Sequence, residues 1–344
     1  MFAIYVHDLS PVIFRITDQI QLRWYGLAYL AGFLAGAFLL ERLSRRNLWV
    51  LPPGSAGDFI SAAAIFGVFL GGRLGYMLWY WPREHGWGWI TEDPLVIFRV
   101  WEGGMASHGG VLGLVVFTWF YSRKKKVSWT GLGDGLCVVA PLGLFFGRLA
   151  NFINGELYGR TAEGVAWAMK FPATLVDRKM IENESFGPAM LAAAEVEPRL
   201  VPYLGADGIP RDASIYQAAM SFQQHVPFGS ASNPEITVAL EPFLEARHPS
   251  QLYEALLEGA LLFAILWWVR VRYPHAPNGL LTGLFFVLYA VFRIICEQFR
   301  EPDSKMVGAM TSGQFLSLFM IAAGAVFIAV AVKKGPTKTL NAES

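Results

Sequence analysis

The chain has 344 residues, of which 54% are hydrophobic and only 16% are charged, and its formal net charge is +1. A soluble globular domain carries about 25% charged residues. The composition, with a mean hydropathy of +0.39, therefore excludes an ordinary soluble protein, and the near-zero net charge identifies no acidic partner such as a nucleic acid.

Apolar runs close to the roughly 20 residues that cross a bilayer as a helix recur along the chain. They predict an all-α polytopic membrane protein with about seven transmembrane helices, at residues 22–41, 56–80, 107–122, 131–150, 250–269, 279–298 and 311–332. The runs are continuous and lack the period-2 alternation of a membrane β-barrel. The N-terminal stretch lacks the basic start and cleavage site of a signal peptide, so we expect the first helix to direct insertion.

Lysine and arginine concentrate in the connections on one side of the predicted bundle, and the positive-inside rule assigns that side to the cytoplasm. The basic set comprises Arg42, Arg45, Arg46, Arg123, Lys124, Lys125, Lys126, Arg270, Arg272, Lys333, Lys334 and Lys338. The opposite connections hold Arg15, Arg83, Arg99, Arg300 and Lys305, with Arg23 at a border. We therefore expect the N-terminus outside and the C-terminus inside.

Two polar segments are predicted on the outer side. Residues 81–106 include WYWPREHGWGWI, whose aromatic side chains suit the bilayer interface and predict an arm on the outer surface. Residues 151–248 mix charged residues with proline and glycine, which indicates a small head domain. The membrane part is then divided between residues 1–150, with four helices and the arm, and residues 249–344, with three helices and a cytoplasmic tail.

Polar and ionisable side chains gather at the outer ends of several predicted helices. An ionisable residue within a span costs at least about 2.5–3.5 kcal/mol, so these residues need an explanation. The sixth span carries Tyr289, Arg293, Glu297 and Arg300 at a spacing that predicts one helical face. The topology brings to the same depth Arg148, Asn151, Asn154 and Glu156 of the fourth span, His108 of the third and Tyr25 of the first.

Two arginines at one depth suggest an anionic lipid headgroup, because the planar guanidinium binds two phosphate oxygens and stays charged. Each residue also has a purely structural interpretation. Arg293 and Glu297 can form a structural ion pair, Arg148 can extend to the interface, and His108 and Tyr25 can be a structural histidine and an interfacial aromatic residue. A lipid or anion transporter would also need such arginines, but it should show inverted repeats and broken helices at the midplane.

Metal chemistry is not indicated. The sequence has no H-E-x-x-H motif, no carboxylate-rich aspartate motif and no paired cysteines. Cys137 and Cys296 lie in apolar segments, where cysteine is usually a small apolar residue. We expect no metal, no cofactor and no disulfide.

Five motifs resemble the signatures of the bacterial phosphatidylglycerol–prolipoprotein diacylglyceryl transferases. They are RWYGLAYLAGF at 23–33, RVWEGGMASHGGVLG at 99–113, GRLANFINGELYG at 147–159, RHPSQLYEALLEG at 247–259 and YAVFRIICEQFREPD at 289–303. The resemblance extends from about residue 10 to residue 330, with the motifs in the order of the family. It leaves residues 172–243 without a motif, so this insertion either shapes which peptides are accepted or is an addition without a catalytic role.

The resemblance implies a reaction, its partners and a location in the bacterial inner membrane, with a periplasmic N-terminus and head domain. The family transfers the diacylglyceryl group of phosphatidylglycerol to the lipobox cysteine in the signal peptide of a preprolipoprotein, forming a thioether and releasing glycerol phosphate. Its catalytic positions correspond to His108, Arg148 and Arg293, and its substrate-binding positions to Tyr25, Asn151, Asn154, Glu156, Gly159, Tyr289, Glu297 and Arg300.

Two questions stay open at this point. His108 is either the base that activates the thiol or a residue that orients substrate while Arg148 and Arg293 lower the pKa of the thiol. A catalytically inactive protein that only binds phosphatidylglycerol is the other alternative.

Overall fold

The structure is a computed structural model that describes residues 4–15, 21–88, 93–99, 103–176, 186–197, 234–302 and 310–336. These residues are mostly helical, as the apolar runs predict. The outer parts of the chain are described only in part. The predicted arm lacks residues 89–92 and 100–102, the predicted head domain lacks 177–185 and 198–233, and Lys305 and Lys338 also lie outside the described residues.

Ten helices are numbered here in chain order within the described residues. They are α1 (Trp24–Arg45), α2 (56–79, with a π-helical segment Ala63–Phe69), α3 (Trp81–His85), α4 (Ser107–Lys125), α5 (Trp129–Ile153), α6 (Phe186–Val196), α7 (Pro234–Leu240), α8 (250–272, with a π-helical segment Ala255–Leu261), α9 (Leu280–Cys296) and α10 (Ser312–Lys334). Single turns of 3-10 helix cover Pro94–Phe98, Pro172–Val176 and Glu241–Phe243.

Among the described residues, five helices are long and apolar enough to cross a membrane, and they coincide with five of the seven predicted spans. They cover Trp24–Arg45, Ala56–Arg83, Trp129–Ile153, Ser250–Arg272 and Ser312–Lys334. The other two predicted spans are helices as well. The apolar helix α9 has only 17 residues, and α4 ends in the basic residues Arg123, Lys124 and Lys125, which shorten its apolar part.

The prediction of an all-α chain needs a correction, because the described residues include five short strands. A three-stranded sheet has the order β1-β4-β5, from Tyr5–Val6, Met169–Lys170 and Ala246–Arg247, and β2 (Val12–Arg15) pairs with β3 (Gln21–Arg23). The β1–β4 pairing is parallel, and the β4–β5 and β2–β3 pairings are antiparallel. Strands of two to four residues are too short for a recognisable period-2 pattern.

The chain divides into two compact units. The first comprises Met1–Leu30, Leu144–Leu261 and Ala290–Leu318, and the second comprises Ala31–Gly143, Leu262–Tyr289 and Phe319–Ser344. The first unit contains a small apolar core from the predicted head domain, formed by Leu175, Ala189, Met190, Ala193, Ala194, Ile236, Leu240 and Leu244.

Glycine permits close contact between α2 and α4 in the second unit. A Cβ atom on Gly75 would lie 2.6 Å from the Cα of Gly109, and one on Gly113 would lie 2.7 Å from the Cα of Gly71. Small residues of this kind let helix backbones touch in a membrane. In the first unit, α8 approaches α5 in the same way, because a Cβ on Gly259 would lie 2.7 Å from the Cβ of Phe145.

Candidate active site

Three arginines of the first unit converge on one buried carboxylate, that of Glu254 on α8. Arg148 Nε lies 2.7 Å from Glu254 Oε2, and Arg300 Nη1 lies 3.0 Å from Oε1. The third guanidinium is that of Arg293, whose Nη1 is 3.5 Å from Oε2. Helices α5 and α9 and the turn after α9 thus each supply one cation to α8.

Glu258 lies one turn further along α8 and is fully buried. Its oxygens are 3.7 Å from Arg148 Nη2 and 3.6 Å from Arg293 Nη1. Within the described part of the chain, neither oxygen accepts a hydrogen bond. Glu258 lies inside the π-helical segment Ala255–Leu261, and such segments occur frequently at functional sites.

Glu297 pairs with the second terminal nitrogen of Arg293. Arg293 Nη2 is 2.5 Å from Glu297 Oε1, and the hydroxyl of Thr311 donates a hydrogen bond of 2.8 Å to Glu297 Oε2. The pairing of Arg293 with Glu297 agrees with the i,i+4 spacing in the sequence. The prediction that Arg300 shares one helical face with Tyr289 and Arg293 is wrong. Helix α9 ends at Cys296, and Arg300 pairs with Gly159 in an isolated β-bridge.

Exposure separates the cations of this cluster from its anions. The side chains of Arg148 and Arg293 are 17% and 15% exposed, whereas those of Glu254 and Glu258 are 1% and 0% exposed. The exposed side-chain area of these four residues therefore belongs mainly to the two arginines. Such a surface can bind an anion through N–H donors while the buried carboxylates hold the donors in place.

Three of the predicted substrate-binding residues bond to one another. The hydroxyl of Tyr25 donates to Glu156 Oε1 at 2.5 Å, and Asn151 Nδ2 donates to the same oxygen at 2.8 Å. Asn151 Nδ2 also donates to the hydroxyl of Tyr25, and its Oδ1 lies 3.5 Å from Arg148 Nη1. This triad connects the first turn of α1 and the loop after α5 to the arginine cluster.

The loop after α5 is held by the RHPSQ segment, residues 247–251, which leads into the first residues of α8. Gln251 Nε2 donates to the carbonyl of Glu156 at 2.6 Å, and the hydroxyl of Ser250 donates to the carbonyl of Leu157 at 3.0 Å. Leu157 adopts a left-handed backbone with φ of 56°. A non-glycine residue in that region is strained, and the surrounding contacts must maintain the strain. The hydrogen bonds from Gln251 and Ser250 do so here.

Gly159 lies at a crowded backbone junction. Its N–H donates to the carbonyl of His248 at 2.8 Å, and Arg247 Nη1 donates to its carbonyl at 3.2 Å. A Cβ at this position would lie 2.4 Å from the carbonyl oxygen of Phe299. The geometry gives Gly159 a packing role, and the substrate contact that the family motif implies stays a prediction.

Asn154 has a free acceptor in the described part of the chain. Its Oδ1 is buried and accepts no hydrogen bond there. A buried acceptor without a donor costs about 1–3 kcal/mol, and a hydroxyl group of a ligand would satisfy it. This geometry suits the headgroup contact that the sequence suggests.

His108 and Tyr289 belong to the second unit, and the contacts described above do not include them. His108 is the second residue of α4 and has an exposed side chain. The ring of Tyr289 stacks on that of Phe285, with centroids 5.8 Å apart.

The sequence prediction missed Glu254 and Glu258. Both stand inside an apolar span, four residues apart, in the quoted stretch RHPSQLYEALLEG. Burying a charge in a membrane is costly, so the presence of these two glutamates in an apolar span was the signal that could have identified them. In the described residues, no group of three histidine, cysteine, aspartate or glutamate side chains is arranged to hold a metal ion.

Fold and cluster together define a polytopic helical membrane protein with a buried arginine–carboxylate site. Its sequence matches the family model described as prolipoprotein diacylglyceryl transferase over residues 11–330. The chain belongs to this family, which confirms the resemblance that the five motifs carry.

Curated relatives match over almost the whole chain. A phosphatidylglycerol–prolipoprotein diacylglyceryl transferase of Serratia proteamaculans is 35% identical over 340 residues, covering 96% of each chain. One of Bdellovibrio bacteriovorus is 37% identical over 343 residues, covering 94% of this chain and 93% of the relative. One of Escherichia fergusonii is 35% identical over 353 residues, covering 99% of this chain and all of the relative.

Proposed function

We propose that this chain is a phosphatidylglycerol–prolipoprotein diacylglyceryl transferase. It transfers the diacylglyceryl group of phosphatidylglycerol to the lipobox cysteine thiol of a preprolipoprotein, forms a thioether and releases glycerol phosphate. Family membership over residues 11–330 supports this reaction. The structural observation that carries it is the pair of partly exposed arginine side chains, Arg148 and Arg293, each ion-paired with a buried carboxylate.

Phosphate recognition is the role of this pair. Phosphatidylglycerol carries one negative charge on its phosphodiester, and a planar guanidinium can donate two N–H groups to its oxygens. Arg300 is held by both oxygens of Glu254 and is almost fully buried. We assign Arg300 and Glu297 to the support of the two arginines that contact phosphate.

Atom balance defines the bond that breaks. A thioether joins sulfur to carbon. The thiolate therefore attacks the carbon of the diacylglyceryl group that is joined to the phosphate, and the bond between that carbon and the phosphate oxygen breaks. The oxygen keeps the electron pair and leaves as part of glycerol phosphate, which gains one negative charge. Arg148 and Arg293 stabilise that growing charge, an effect of about 3–4 kcal/mol for one well-placed donor in other enzymes.

The thiol proton needs an acceptor. A cysteine thiol with a pKa near 8.5 is mostly protonated at neutral pH, and histidine is the side chain whose ionisation lies closest to that range. We assign this general-base role to His108, which has an exposed side chain at the start of α4.

Asn154 contacts the glycerol headgroup, and the triad of Tyr25, Asn151 and Glu156 forms the side of the site beside it. Tyr289 is assigned to substrate binding on the family motif alone.

The location of the site follows from the proposed topology. Seven helices span the bacterial inner membrane, with a periplasmic N-terminus and a cytoplasmic C-terminus. Residues 1–150 and 249–344 form the membrane part, residues 81–106 form an arm on the periplasmic surface, and residues 151–248 form the periplasmic head domain. Both the lipid and the lipobox peptide reach that side of the membrane.

A reconstituted assay tests the proposal. Purified protein is incubated with phosphatidylglycerol and a lipobox peptide, and both the peptide mass and the released glycerol phosphate are followed. We expect the peptide to gain one diacylglyceryl group. A peptide with serine in place of cysteine, and phosphatidylethanolamine in place of phosphatidylglycerol, are the controls. No mass gain with the authentic pair would refute the proposed activity.

A further inference from the structure

Arg73 is a buried arginine that the proposed chemistry does not use. It belongs to α2, in the GGRLG stretch, and only 3% of it is exposed. In the described residues no carboxylate lies within ion-pair distance of it. A buried guanidinium is costly unless its N–H groups are satisfied, so its partners show what it does.

Those partners are four backbone carbonyls of the predicted arm. Nη2 donates to Val96 at 2.6 Å, and Nε donates to Ile97 at 2.9 Å. Nη1 donates to Gly103 at 2.5 Å and to Gly104 at 3.1 Å. One side chain thus ties both described ends of the segment 96–104 to α2.

The segment leads directly into the helix that carries His108. The N–H of Ala106 donates to the carbonyl of Gly72 at 3.0 Å, and α4 begins at Ser107. Gly104 has a φ of 78°, and a Cβ there would lie 2.3 Å from the ring of Tyr76. The residues just before α4, Gly103 to Ala106, are therefore fixed against α2.

We propose that Arg73 is a positioning residue for His108. By holding the carbonyls of the segment 96–104, Arg73 sets where the first turn of α4 starts and hence where the imidazole of His108 lies. A general base must lie within hydrogen-bond reach of the proton it takes, and a misplacement of about 1 Å can cost roughly 100-fold in rate. This inference rests on the role that the proposed function gives to His108.

Lysine is the informative substitution at this position. Arg73→Lys keeps the positive charge but replaces a planar group that reaches four carbonyls with a compact ammonium group. We expect kcat to fall about 10- to 100-fold, with the KM for phosphatidylglycerol within about threefold of wild type, because the arginines that contact phosphate are untouched. Arg83→Lys is the matched control, since Arg83 is exposed and lies over the ring of Trp79.

A double substitution separates positioning from a general loss of structure. In the His108→Gln background, Arg73→Lys should lower the residual rate by less than about twofold, because the group that Arg73 positions is gone. An equal loss in both backgrounds would overturn the inference. Site-resolved carbethoxylation by mass spectrometry gives a second readout: Arg73→Lys should change the reaction rate of His108 at least threefold and leave that of His275, also exposed, unchanged.

Gly104→Ala provides the same test if Arg73→Lys fails to fold. Its methyl group meets the ring of Tyr76 and displaces the same segment without touching Arg73. We expect the same loss of kcat and the same change at His108. Wild-type activity of the folded Arg73→Lys and Gly104→Ala variants would refute the inference alone, whereas an inactive wild type would refute the proposed function on which it rests.

Discussion

Arg148 and Arg293 differ from the carboxylates that hold them in how far each side chain reaches the surface. The two arginine side chains are partly exposed, whereas Glu254 and Glu258, which pair with them, have almost no exposed area. At the scale of single residues, the site is therefore a cationic surface with a buried anionic support.

Arg148→Ala and Arg293→Ala should each lower kcat/KM at least about 100-fold, because each removes N–H donors from the phosphate. Turnover of phosphatidylglycerol by protein of verified fold is the measurement. Arg45→Ala is the control, since Arg45 also pairs with a glutamate at 2.9 Å but its side chain is 72% exposed. Near-wild-type rates for both site variants would show that the phosphate is bound elsewhere.

Glu254→Gln and Glu258→Gln should differ in effect. Glu254 is in direct contact with Arg148 and Arg300 at 2.7 and 3.0 Å, so losing its charge removes a buried anion that both cations contact, a change worth about 3–5 kcal/mol. Glu258 lies 3.6 Å or more from both of its arginines and should tolerate glutamine better. Thermal unfolding in detergent and kcat/KM check the order, and a larger loss for Glu258→Gln would contradict it.

His108→Gln tests the assignment of the base. The variant should turn over about 100- to 10,000-fold more slowly than wild type, because the group that takes the thiol proton is gone. A pH–rate profile of His108→Gln with full activity would instead favour the alternative in which the arginines alone activate the thiol.

The sequence predicted the cations of the site better than its anions. Arg148, Arg293, Asn151 and Glu156 lie next to helix ends, where a polar residue interrupts an apolar run and is easy to notice. Glu254 and Glu258 belong to a span whose average remains apolar, and only the cost of burying each charge identifies them. No sequence pattern shows that three arginines from separate segments share the carboxylate of Glu254, because that contact depends on tertiary packing.

Helices are the elements that the apolar runs predict well. The boundaries are less predictable, and α9 ends at Cys296, short of the predicted residue 298. The sheet β1-β4-β5 escaped prediction because its pairing is set by residues far apart in the chain: β1 joins β4 through Tyr5 and Met169, and β4 joins β5 through Met169 and Arg247.

His7 makes the position of β1 sensitive to pH. Its ring is buried, stacking on Phe171 and meeting the edge of Phe152, and this burial lowers its pKa. The unfolded chain therefore binds a proton that the folded chain excludes, so stability is lost as pH falls through the ordinary range of histidine, near 6.5, and is retained above it.

His7→Phe should reduce this acid sensitivity. We expect the melting temperature of the variant to change less between pH 7.5 and pH 5 than that of wild type, by a few degrees. Thermal unfolding in detergent at the two pH values is the measurement, and His275→Phe at an exposed position is the control. An identical pH dependence in wild type and His7→Phe would contradict the role given to His7.

At the scale of the whole molecule, the family match and the apolar helices agree. The match covers residues 11–330, and this range includes the motifs, the insertion and four of the five helices long and apolar enough to span a membrane, together with most of the fifth. A fold built around a conserved reaction explains why buried charges remain in so apolar a chain. In the proposed reaction, the arginines among these charges bind the phosphate of a membrane lipid.

An isotope measurement tests the central claim most directly. Phosphatidylglycerol is labelled with oxygen-18 at the atom that joins phosphorus to the diacylglyceryl carbon, and the protein is given this lipid with a lipobox peptide. The account predicts one labelled glycerol phosphate for each thioether formed, because the carbon–oxygen bond breaks. Thioether formation without labelled glycerol phosphate, or no thioether at all, would contradict it.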